Sequence, residues 1–455
     1  DHPSLSVRSP LCVGENREEG VTLMYIPDIF NGKARNVPSP QFPFQKYVRS
    51  TLLRIVPPPA SLKAEPAPLT NHVLVTDASQ RKSVPIIRSL GKNGVYVVAG
   101  EDKPLSMGFY SRFVKKRLKY PPPENHRQFA DWLIDTARAG VFDIVFPIDE
   151  RTMEPVTRYK EELEKYMVVP VVDHDTFMLA RNKANTMEYA QKLGIPVPRT
   201  VVCTREEDLT EVLKLMPVPA VIKARESSGS RGLCYVSDRS RIFSEYKRIH
   251  AQHPFPLIQE LIPPGGSTYG VEGLCDHGKV LRLIVHRRIR EYPIKGGPST
   301  LRESIYKPDI LEHAVKLLMS LKWHGVVMLE FKEDPRNGQC VLLEINPKFW
   351  GSIALPIAAG VDFPYLLYRL ACRGEISEEY SYPEHVLCRW LLPGDLLHFI
   401  FNPDRFNLKP SFFDFRNTSY DIFDTKDLGP LLLLMITLAR DLFLRRTWTD
   451  KIMRR

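Results

Sequence analysis

Short apolar runs alternate with amphipathic segments over roughly residues 71–180. The runs "HVLVTDA", "VYVVAG" and "VFDIVFPIDE" have the length of strands, whereas "SVPIIRSLGKNG" and "HRQFADWLIDTARAG" repeat their apolar positions with a helical period. This order predicts a small parallel sheet built from βαβαβ units. The first turn, "TDASQRKS", lacks GxGxxG, which argues against a dinucleotide bound in the Rossmann manner.

Two acidic residues, Asp149 and Glu150, follow the third of these strands. That position is the crevice edge at which open parallel sheets bind ligands. It is equally the first turn of a helix, where the helix dipole favours acidic side chains. The sequence leaves both interpretations open.

Beyond residue 180 the pattern becomes a mixture of strands and helices. A hairpin turning near "DHGK" is predicted for "TYGVEGLCDHGKVLRLIVHRRI". The other predicted strands are "PAVIKA", "LCYVSD", "FPLIQELI", "GVVMLEF" and "CVLLEIN". Helices are predicted within "RNKANTMEYAQKLGIPVPRT", "DLTEVLKLM" and "RSRIFSEYKRIHAQ", at about 308–323, and as a pair within 351–373.

Composition and charge narrow the class of protein. Residues 1–70 hold 11 of the 39 prolines, which is typical of an extension with a linker. The net charge of +10 suits anionic small ligands and does not by itself require nucleic acid, and the chain shows neither zinc-finger spacing nor an RNP-like aromatic motif. Seven scattered cysteines without CxxC predict reduced thiols in a cytoplasm-like compartment.

The C-terminal segment combines apolar and basic residues. Its apolar run, 428–439, is shorter than the roughly 20 residues that a membrane-spanning helix needs. With its leucines and its basic end, the segment could lie on an anionic membrane surface or dock on a partner. The alternative is a helix packed on the core with a solvated basic end.

A strand-end lysine precedes a flexible polar loop. Lys223 ends "PAVIKA", and "RESSGSRG" follows directly. Small residues allow backbone N–H groups to approach phosphate oxygens, and lysine adds a point charge. The P-loop pattern GxxxxGK[ST] is absent, and a surface loop beside a solvated lysine is the alternative.

Two glutamates interrupt otherwise apolar strands. Glu330 lies in "GVVMLEF" and Glu344 in "CVLLEIN", with Asn346 two residues further on the same strand face. Paired as a hairpin, the strands would bring both carboxylates together. Two carboxylates and an amide oxygen are a hard ligand set that suits Mg²⁺, with Mn²⁺ as an alternative. Structural salt bridges are the other interpretation.

The ordered set of Lys183, Lys223 with "SSGSRG", "IQELIP", Glu330 and "EINPKFWGS" resembles the ATP-grasp superfamily, and most of all its single-module carboxylate–amine ligases. The resemblance covers about residues 71–375. It implies a small parallel-sheet α/β domain followed by two α+β subdomains that clamp the nucleotide. The implied domains are an extension (1–70), a pre-ATP-grasp domain (71–182), a lid subdomain with linker (183–262), a catalytic subdomain (263–400) and a C-terminal extension with a basic tail (401–455).

The resemblance also implies roles for individual residues. Lys183 and Lys223 would bind ATP phosphates, and Glu330, Glu344 and Asn346 would hold one or two Mg²⁺ ions. The lid loop over the phosphates would contain Ser227, Ser228, Gly229, Ser230 and Gly232. The hinge that contacts adenine and ribose would contain Gln259, Glu260 and Ile262.

One departure from the family concerns the residue after "NP", which is usually arginine and here is Lys348. Lysine offers a point charge in place of a planar fork. Arg302 is the predicted replacement for that fork. Lys295, beside two glycines, is predicted to form a second anion-binding loop, with a solvated basic loop as the alternative.

Three further positions carry weaker predictions. His286 and Arg288 alternate with Arg287 along a strand, so at most these two share the cleft, and His286 is expected to be structural. Phe349 and Trp350 are expected to be packing residues.

The resemblance implies phosphorylation of a carboxylate by ATP and amide formation through an acyl phosphate. Its substrates would be a small acid and a small amine. The alternatives are a bicarbonate-phosphorylating enzyme, although no biotinyl segment is evident, and a nucleotide-binding module without catalysis. A dimer is the default oligomer of such a protein.

Overall fold

The computed structural model describes residues 22–23 and 71–443, apart from 204, 206–208, 210–215, 227–231, 295, 373 and 375. Its strands are β1 Thr22–Leu23, β2 His72–Val75, β3 Tyr96–Glu101, β4 Val114–Lys119, β5 Ile144–Phe146, β6 Thr200–Val202, β7 Ala220–Lys223, β8 Leu233–Val236, β9 Leu257–Glu260, β10 Thr268–Asp276, β11 Lys279–Glu291, β12 Ser299–Ile305, β13 Gly325–Glu333, β14 Cys340–Asn346, β15 Leu387–Arg389 and β16 Thr418–Tyr420.

The α-helices whose ends are described connect and cover these strands. They are α1 Ser83–Lys92, α2 His126–Arg138, α3 Glu150–Arg158, α4 Lys160–Leu163, α5 His174–Arg181, α6 Lys183–Lys192, α7 Arg239–His250, α8 Pro308–Ser320, α9 Ala354–Ala358, α10 Phe363–Ala371, α11 Leu396–Phe401 and α12 Gly429–Phe443. The helix predicted for "DLTEVLKLM" falls almost wholly outside the described residues.

The predicted parallel sheet is confirmed. It has the order β4-β3-β2-β5 with every pair parallel. In α1, Val84, Ile87 and Leu90 recur every three residues and are fully buried, as the helical period predicts. The edge strand β4, "VKKRLK", was not predicted, because its exposed lysines and arginine hide the strand pattern.

Two larger β-sheets follow. The first is a five-stranded sheet in the order β1-β6-β9-β7-β8, and the second is a seven-stranded sheet in the order β14-β13-β10-β11-β12-β15-β16. The hairpin predicted near "DHGK" is confirmed, with His277 and Gly278 between β10 and β11. Strand β16 lies within the segment predicted as a C-terminal extension, and the domain limits stay a prediction.

The parallel sheet and the seven-stranded sheet share one hydrophobic core. Leu74 and Phe129 of the first belong to the same buried cluster as Leu283 and Phe331 of the second. The turn after β2 is tied to the segment after β14, where Lys82 Nζ donates a hydrogen bond of 2.9 Å to the carbonyl oxygen of Phe349. The carboxyl edge of the parallel sheet therefore faces the acidic strands.

Helix α12 packs against the short turn Met107–Tyr110. A Cβ at Gly429 would overlap the carbonyl oxygen of Tyr110, so only glycine allows this approach. Leu432 and Ile436 of this helix are 60% and 63% exposed. Among the described residues no helix has both the length and the apolar character to cross a membrane.

Candidate active site

A cleft of about 1030 Å³ lies where the three sheets meet. The parallel sheet contributes the turn after β2 and the start of α3. The five-stranded sheet contributes the ends of β7 and β9, and the seven-stranded sheet contributes β11, β13 and β14. Each wall therefore comes from a different sheet.

The two acidic strands pair as predicted. In the antiparallel ladder of β13 and β14, Glu330 lies directly opposite Glu344, and Met328 lies opposite Asn346. Asn346 Nδ2 donates a hydrogen bond of 3.0 Å to Glu344 Oε1. All three polar side chains line the cleft, so the hairpin brings two carboxylates and an amide to one place.

Cations lie beside both carboxylates. Arg288 of β11 forms an ion pair with Glu330, and Lys183 Nζ lies 3.7 Å from Glu344 Oε2. Burial raises the pKa of Glu330, and the facing Glu344 adds to that rise. Burial also acts on Glu344, but Lys183, the hydrogen bond from Asn346 and Lys223 together hold its pKa below the usual value. The pair therefore requires positive charge to remain ionised.

A hard divalent cation fits this donor set. The donor atoms would be oxygens of two half-buried carboxylates and an amide, and the ion would take over the charge compensation that Arg288 and Lys183 now provide, as structural salt bridges would. Residues Glu330, Glu344 and Asn346 would hold the ion.

The two predicted phosphate-binding lysines line the same cleft. Lys183 begins α6, which Asn182 caps by accepting from two backbone N–H groups. Lys223 Nζ donates to Gln259 Oε1 at 2.7 Å, and Gln259 Nε2 donates in turn to Thr200 Oγ1 at 2.8 Å. Burial lowers the pKa of Lys223 to about 8.

The predicted hinge also lines the cleft, through Gln259, Glu260 and Ile262. Most of the predicted lid loop falls outside the described residues, which omit Ser227, Ser228, Gly229 and Ser230. In the predicted second anion loop Lys295 is also omitted, whereas Gly296 and Gly297 are described and line the cleft. Gly232 is described, with a φ of 63° that favours glycine.

Residues 256–391 match the family model described as "ATP-grasp in the biosynthetic pathway with Ter operon". The chain carries an ATP-grasp domain.

Sequence similarity to individual proteins is consistent with the ATP-grasp match. The large chain of carbamoyl phosphate synthase from Methanosarcina mazei is 24% identical over 257 residues, which are 52% of this chain and 23% of that one. D-alanine–D-alanine ligase from Carboxydothermus hydrogenoformans is 24% identical over 217 residues, which are 43% of this chain and 69% of the ligase. The chain thus spans under a quarter of the first relative and about two thirds of the second.

The fold agrees as well. A biotin carboxylase–βγ-ATP complex from Campylobacter jejuni superposes with a TM-score of 0.60 and 15% identity, covering 70% of this chain and 74% of that one. Likeness at this identity establishes the ATP-grasp fold, which combines a parallel-sheet α/β unit with α+β subdomains.

The prediction that Arg302 supplies a carboxylate-binding fork is wrong. Arg302 is fully buried, pairs with Asp421 and lies 3.3 Å from Cys388 Sγ. Its partner follows β16, a strand that the sequence did not predict. Arg81 lines the ATP-grasp cleft, as Arg288 does, and it also pairs with Asp421 and stacks on Trp390 with its Cζ 4.2 Å from the ring centroid.

Lys348 lines the cleft and belongs to a quartet of alternating charges. Its Nζ lies 2.7 Å from Glu150 Oε1, and Lys82 Nζ lies 2.8 Å from Asp149 Oδ2. Burial acts to raise the pKa of Asp149, yet the two lysines lower it to about 2. Asp149 also caps α3, as the helix interpretation predicts, and it lines the cleft, whereas a role of the acidic pair in binding a ligand stays a prediction.

His286 lies beside Arg288 in the ATP-grasp cleft, as the alternation predicts. It is 2% exposed, and its Nδ1 lies 2.9 Å from Oε1 of the fully buried Glu272. A Cβ at Gly270 would overlap the imidazole, which explains the glycine on the neighbouring strand. Phe349 and Trp350 are buried, and their predicted packing role is confirmed.

Sequence reasoning missed Arg81 and Lys82 as cleft residues. Both lie in the turn "TDASQRKS", which had been considered only for its lack of glycines. Their position after the first parallel strand was the available signal, since ligands bind at the carboxyl ends of such strands.

Proposed function

We propose that the protein is an ATP-dependent carboxylate–amine ligase that forms an amide or peptide bond and releases ADP and phosphate. The observation that carries this proposal is the opposed pair of Glu330 and Glu344 in one cleft with Lys183, Lys223 and the hinge. D-alanine–D-alanine ligase, whose name describes such a reaction, is among the relatives of the chain.

The nucleotide side of the cleft would bind ATP. Lys183 and Lys223 would neutralise phosphate oxygens, and Gln259, Glu260 and Ile262 would contact adenine and ribose. Glu330, Glu344 and Asn346 would hold Mg²⁺, or Mn²⁺ in its place. The ion, when bound, would reduce the negative charge of the transferring phosphoryl group.

The opposite side of the cleft would bind the acid. Arg81, Lys82 and Lys348 line this wall, each paired with a carboxylate of the protein, and the substrate carboxylate would take the place of one of those partners. An oxygen of that carboxylate attacks the γ-phosphorus of ATP, and the bond to ADP breaks. The amine then attacks the carbonyl carbon of the acyl phosphate, phosphate leaves, and the amine gives up a proton.

This assignment requires no nucleophilic side chain. The protein contributes positioning and charge stabilisation, which are the main terms in phosphoryl transfer.

The experiment is a screen of ADP release with ATP and Mg²⁺ over pooled amino acids and small carboxylates, with product masses measured for positive pools. We expect release that depends on both an acid and an amine, and an amide product that lacks one water. Glu344→Gln should slow release strongly, whereas Glu161→Gln, at an exposed acid on α4, serves as the control. Release that responds to bicarbonate alone would favour the carboxylase alternative, and ATP binding without turnover would favour the non-catalytic module.

Membrane contact and oligomeric state belong to the same proposal. The exposed Leu432 and Ile436, with the basic residues that follow them in sequence, support peripheral contact with an anionic surface. The double variant Leu432→Asn, Ile436→Asn should co-sediment with anionic liposomes less than the wild type does. Equal pelleting of the two proteins would contradict the proposed membrane contact. Light scattering would test for the default dimer.

A further inference from the structure

A cluster of metal-ligating side chains lies far from the ATP-grasp cleft. It consists of Asp276 at the end of β10, His277 in the following turn, and His324 directly before β13. Thr268, at the other end of β10, lines the cleft. Eight residue steps separate the two ends, which is about 27 Å along the strand.

The ligand atoms are already close together. One atom from each residue lies within 4.8 Å of the other two. Asp276 Oδ1 is 2.7 Å from His277 Nδ1 and 3.2 Å from His324 Nδ1. Tetrahedral bonds of about 2.0–2.1 Å, which Zn²⁺ makes to nitrogen and oxygen, place neighbouring ligands about 3.3 Å apart. The three residues are therefore close enough to share one ion, once the stacked imidazole planes turn toward it.

The backbone holds the two imidazoles side by side. His277 has a φ of 47°, in the left-handed region, and the backbone N–H of Gly278 donates to the carbonyl oxygen of Trp323 at 2.7 Å. This bond docks the hairpin turn beside His324, and the two imidazole rings stack with centroids 4.2 Å apart. The backbone therefore brings both imidazoles to one place before an ion binds, and only side-chain torsions have to adjust.

One ring nitrogen lacks the hydrogen bond that would otherwise occupy it. His324 Nδ1 is shielded from solvent, and within the described part of the chain it makes no hydrogen bond of good geometry, although Asp276 Oδ1 is near. Buried polar atoms are normally satisfied. A metal ion bonded to this nitrogen would satisfy it.

The charge of the surroundings also favours a cation. Asp173, which precedes α5 in the parallel-sheet unit, faces the cluster, because His277 and His324 lower its pKa in addition to its main partner Lys160. Although Lys160 pairs with Asp173, the imidazoles thus have two carboxylates near them, Asp276 and Asp173. A divalent ion would be attracted by both.

We propose that Asp276, His277 and His324 bind a divalent transition metal of the Zn²⁺ class, with water at the fourth position. Two imidazoles and one carboxylate suit such a metal better than Mg²⁺, which prefers oxygen ligands. The bound ion ties the β10–β11 turn to the loop before β13, at the opposite end of the strands that carry the ATP-grasp cleft.

The test uses the full chain stripped with chelator and titrated with ZnCl₂ by calorimetry, followed by metal analysis after gel filtration. We expect one tightly bound Zn²⁺ whose affinity falls at least tenfold in His324→Ala and in His277→Asn, a substitution that tolerates the left-handed backbone. Added Zn²⁺ should raise the Tm of the wild type and not that of either variant.

The matched control is His385→Ala. This histidine also has a carboxylate neighbour, with Nδ1 3.4 Å from Glu303 Oε2, but it does not belong to the three-ligand cluster. It should leave the high-affinity Zn²⁺ unchanged. Absence of a stoichiometric ion, or equal binding by wild type, His277→Asn and His324→Ala, would overturn the proposal. The readout is metal content and stability, so it is independent of ligase activity.

Discussion

Replacing Glu344 by glutamine tests the acidic pair most directly. The substitution keeps the shape of the side chain and removes one of two carboxylates that oppose each other across β13 and β14. It also removes the attraction to Lys183, whose Nζ lies 3.7 Å from Glu344 Oε2. At an effective dielectric constant of about 20, that attraction amounts to about 4 kcal/mol before desolvation is subtracted.

Two stabilising effects of the substitution offset the loss of the attraction to Lys183. The substitution relieves the repulsion between the facing carboxylates, and it removes the cost of burying one of them. We therefore expect the free energy of unfolding in the absence of nucleotide to change by no more than about 1 kcal/mol. Catalysis has no such compensation. Loss of a preorganised charge at the reacting phosphates should lower kcat/KM by about 10²–10³-fold.

The assay is ADP release as a function of Mg²⁺ concentration, with thermal unfolding measured in parallel. Glu344→Gln should need more Mg²⁺ and turn over slowly while its Tm stays near that of the wild type. If the variant kept its rate and Mg²⁺ dependence within threefold, the assignment of these acids to the metal would be refuted. A large fall in Tm would instead show that the pair is a structural salt-bridge network.

Three further predictions follow from the same charges. Arg302→Leu should cost about 3 kcal/mol in denaturant unfolding, because the buried Asp421 loses one of its two guanidinium partners and keeps only Arg81, and a near-neutral result would contradict the buried pair. Lys348→Arg should keep most activity, whereas Lys348→Met should lower kcat/KM about 10²-fold in the ADP assay because the cleft loses a cation. Asp149 has a lowered pKa of about 2, so it contributes stability above its unfolded value of about 3.8 that is lost as the pH falls toward 2. As the pH falls through that window, the free energy of unfolding of Asp149→Asn should therefore decrease by about 2 kcal/mol less than that of the wild type.

The acidic pair was predictable because its signal is local. A carboxylate inside an apolar strand needs compensation. Two such strands joined by a short turn place their residues in register. The alternation of side chains then put Asn346 on the same face as Glu344. Every step used only the neighbouring residues 325–346 of the sequence.

The prediction for Arg302 was wrong because the contact that decides its role is not local in the sequence. The partner of Arg302 is Asp421, which lies 119 residues further along the chain. Neither the short strand β16 nor the approach of Asp421 leaves a pattern in the sequence, because three residues are too few for a period. Pairings over such separations are set by the packing of the whole sheet, so the sequence showed a cation and could not show which group it pairs with.

The charges in the cleft also indicate which ion pairs must change when a nucleotide binds. Arg288 and Lys183 now compensate Glu330 and Glu344, and the same cleft contains Lys223. A divalent ion held by the acids would release both cations from that role. ATP bound to one magnesium carries about two negative charges, which two lysines would balance. This exchange of ion-pair partners would keep the net charge of the cleft near zero. It also predicts that Lys183 and Mg²⁺ act together in binding ATP. Lys183→Met should therefore weaken ATP binding more at saturating Mg²⁺ than without Mg²⁺.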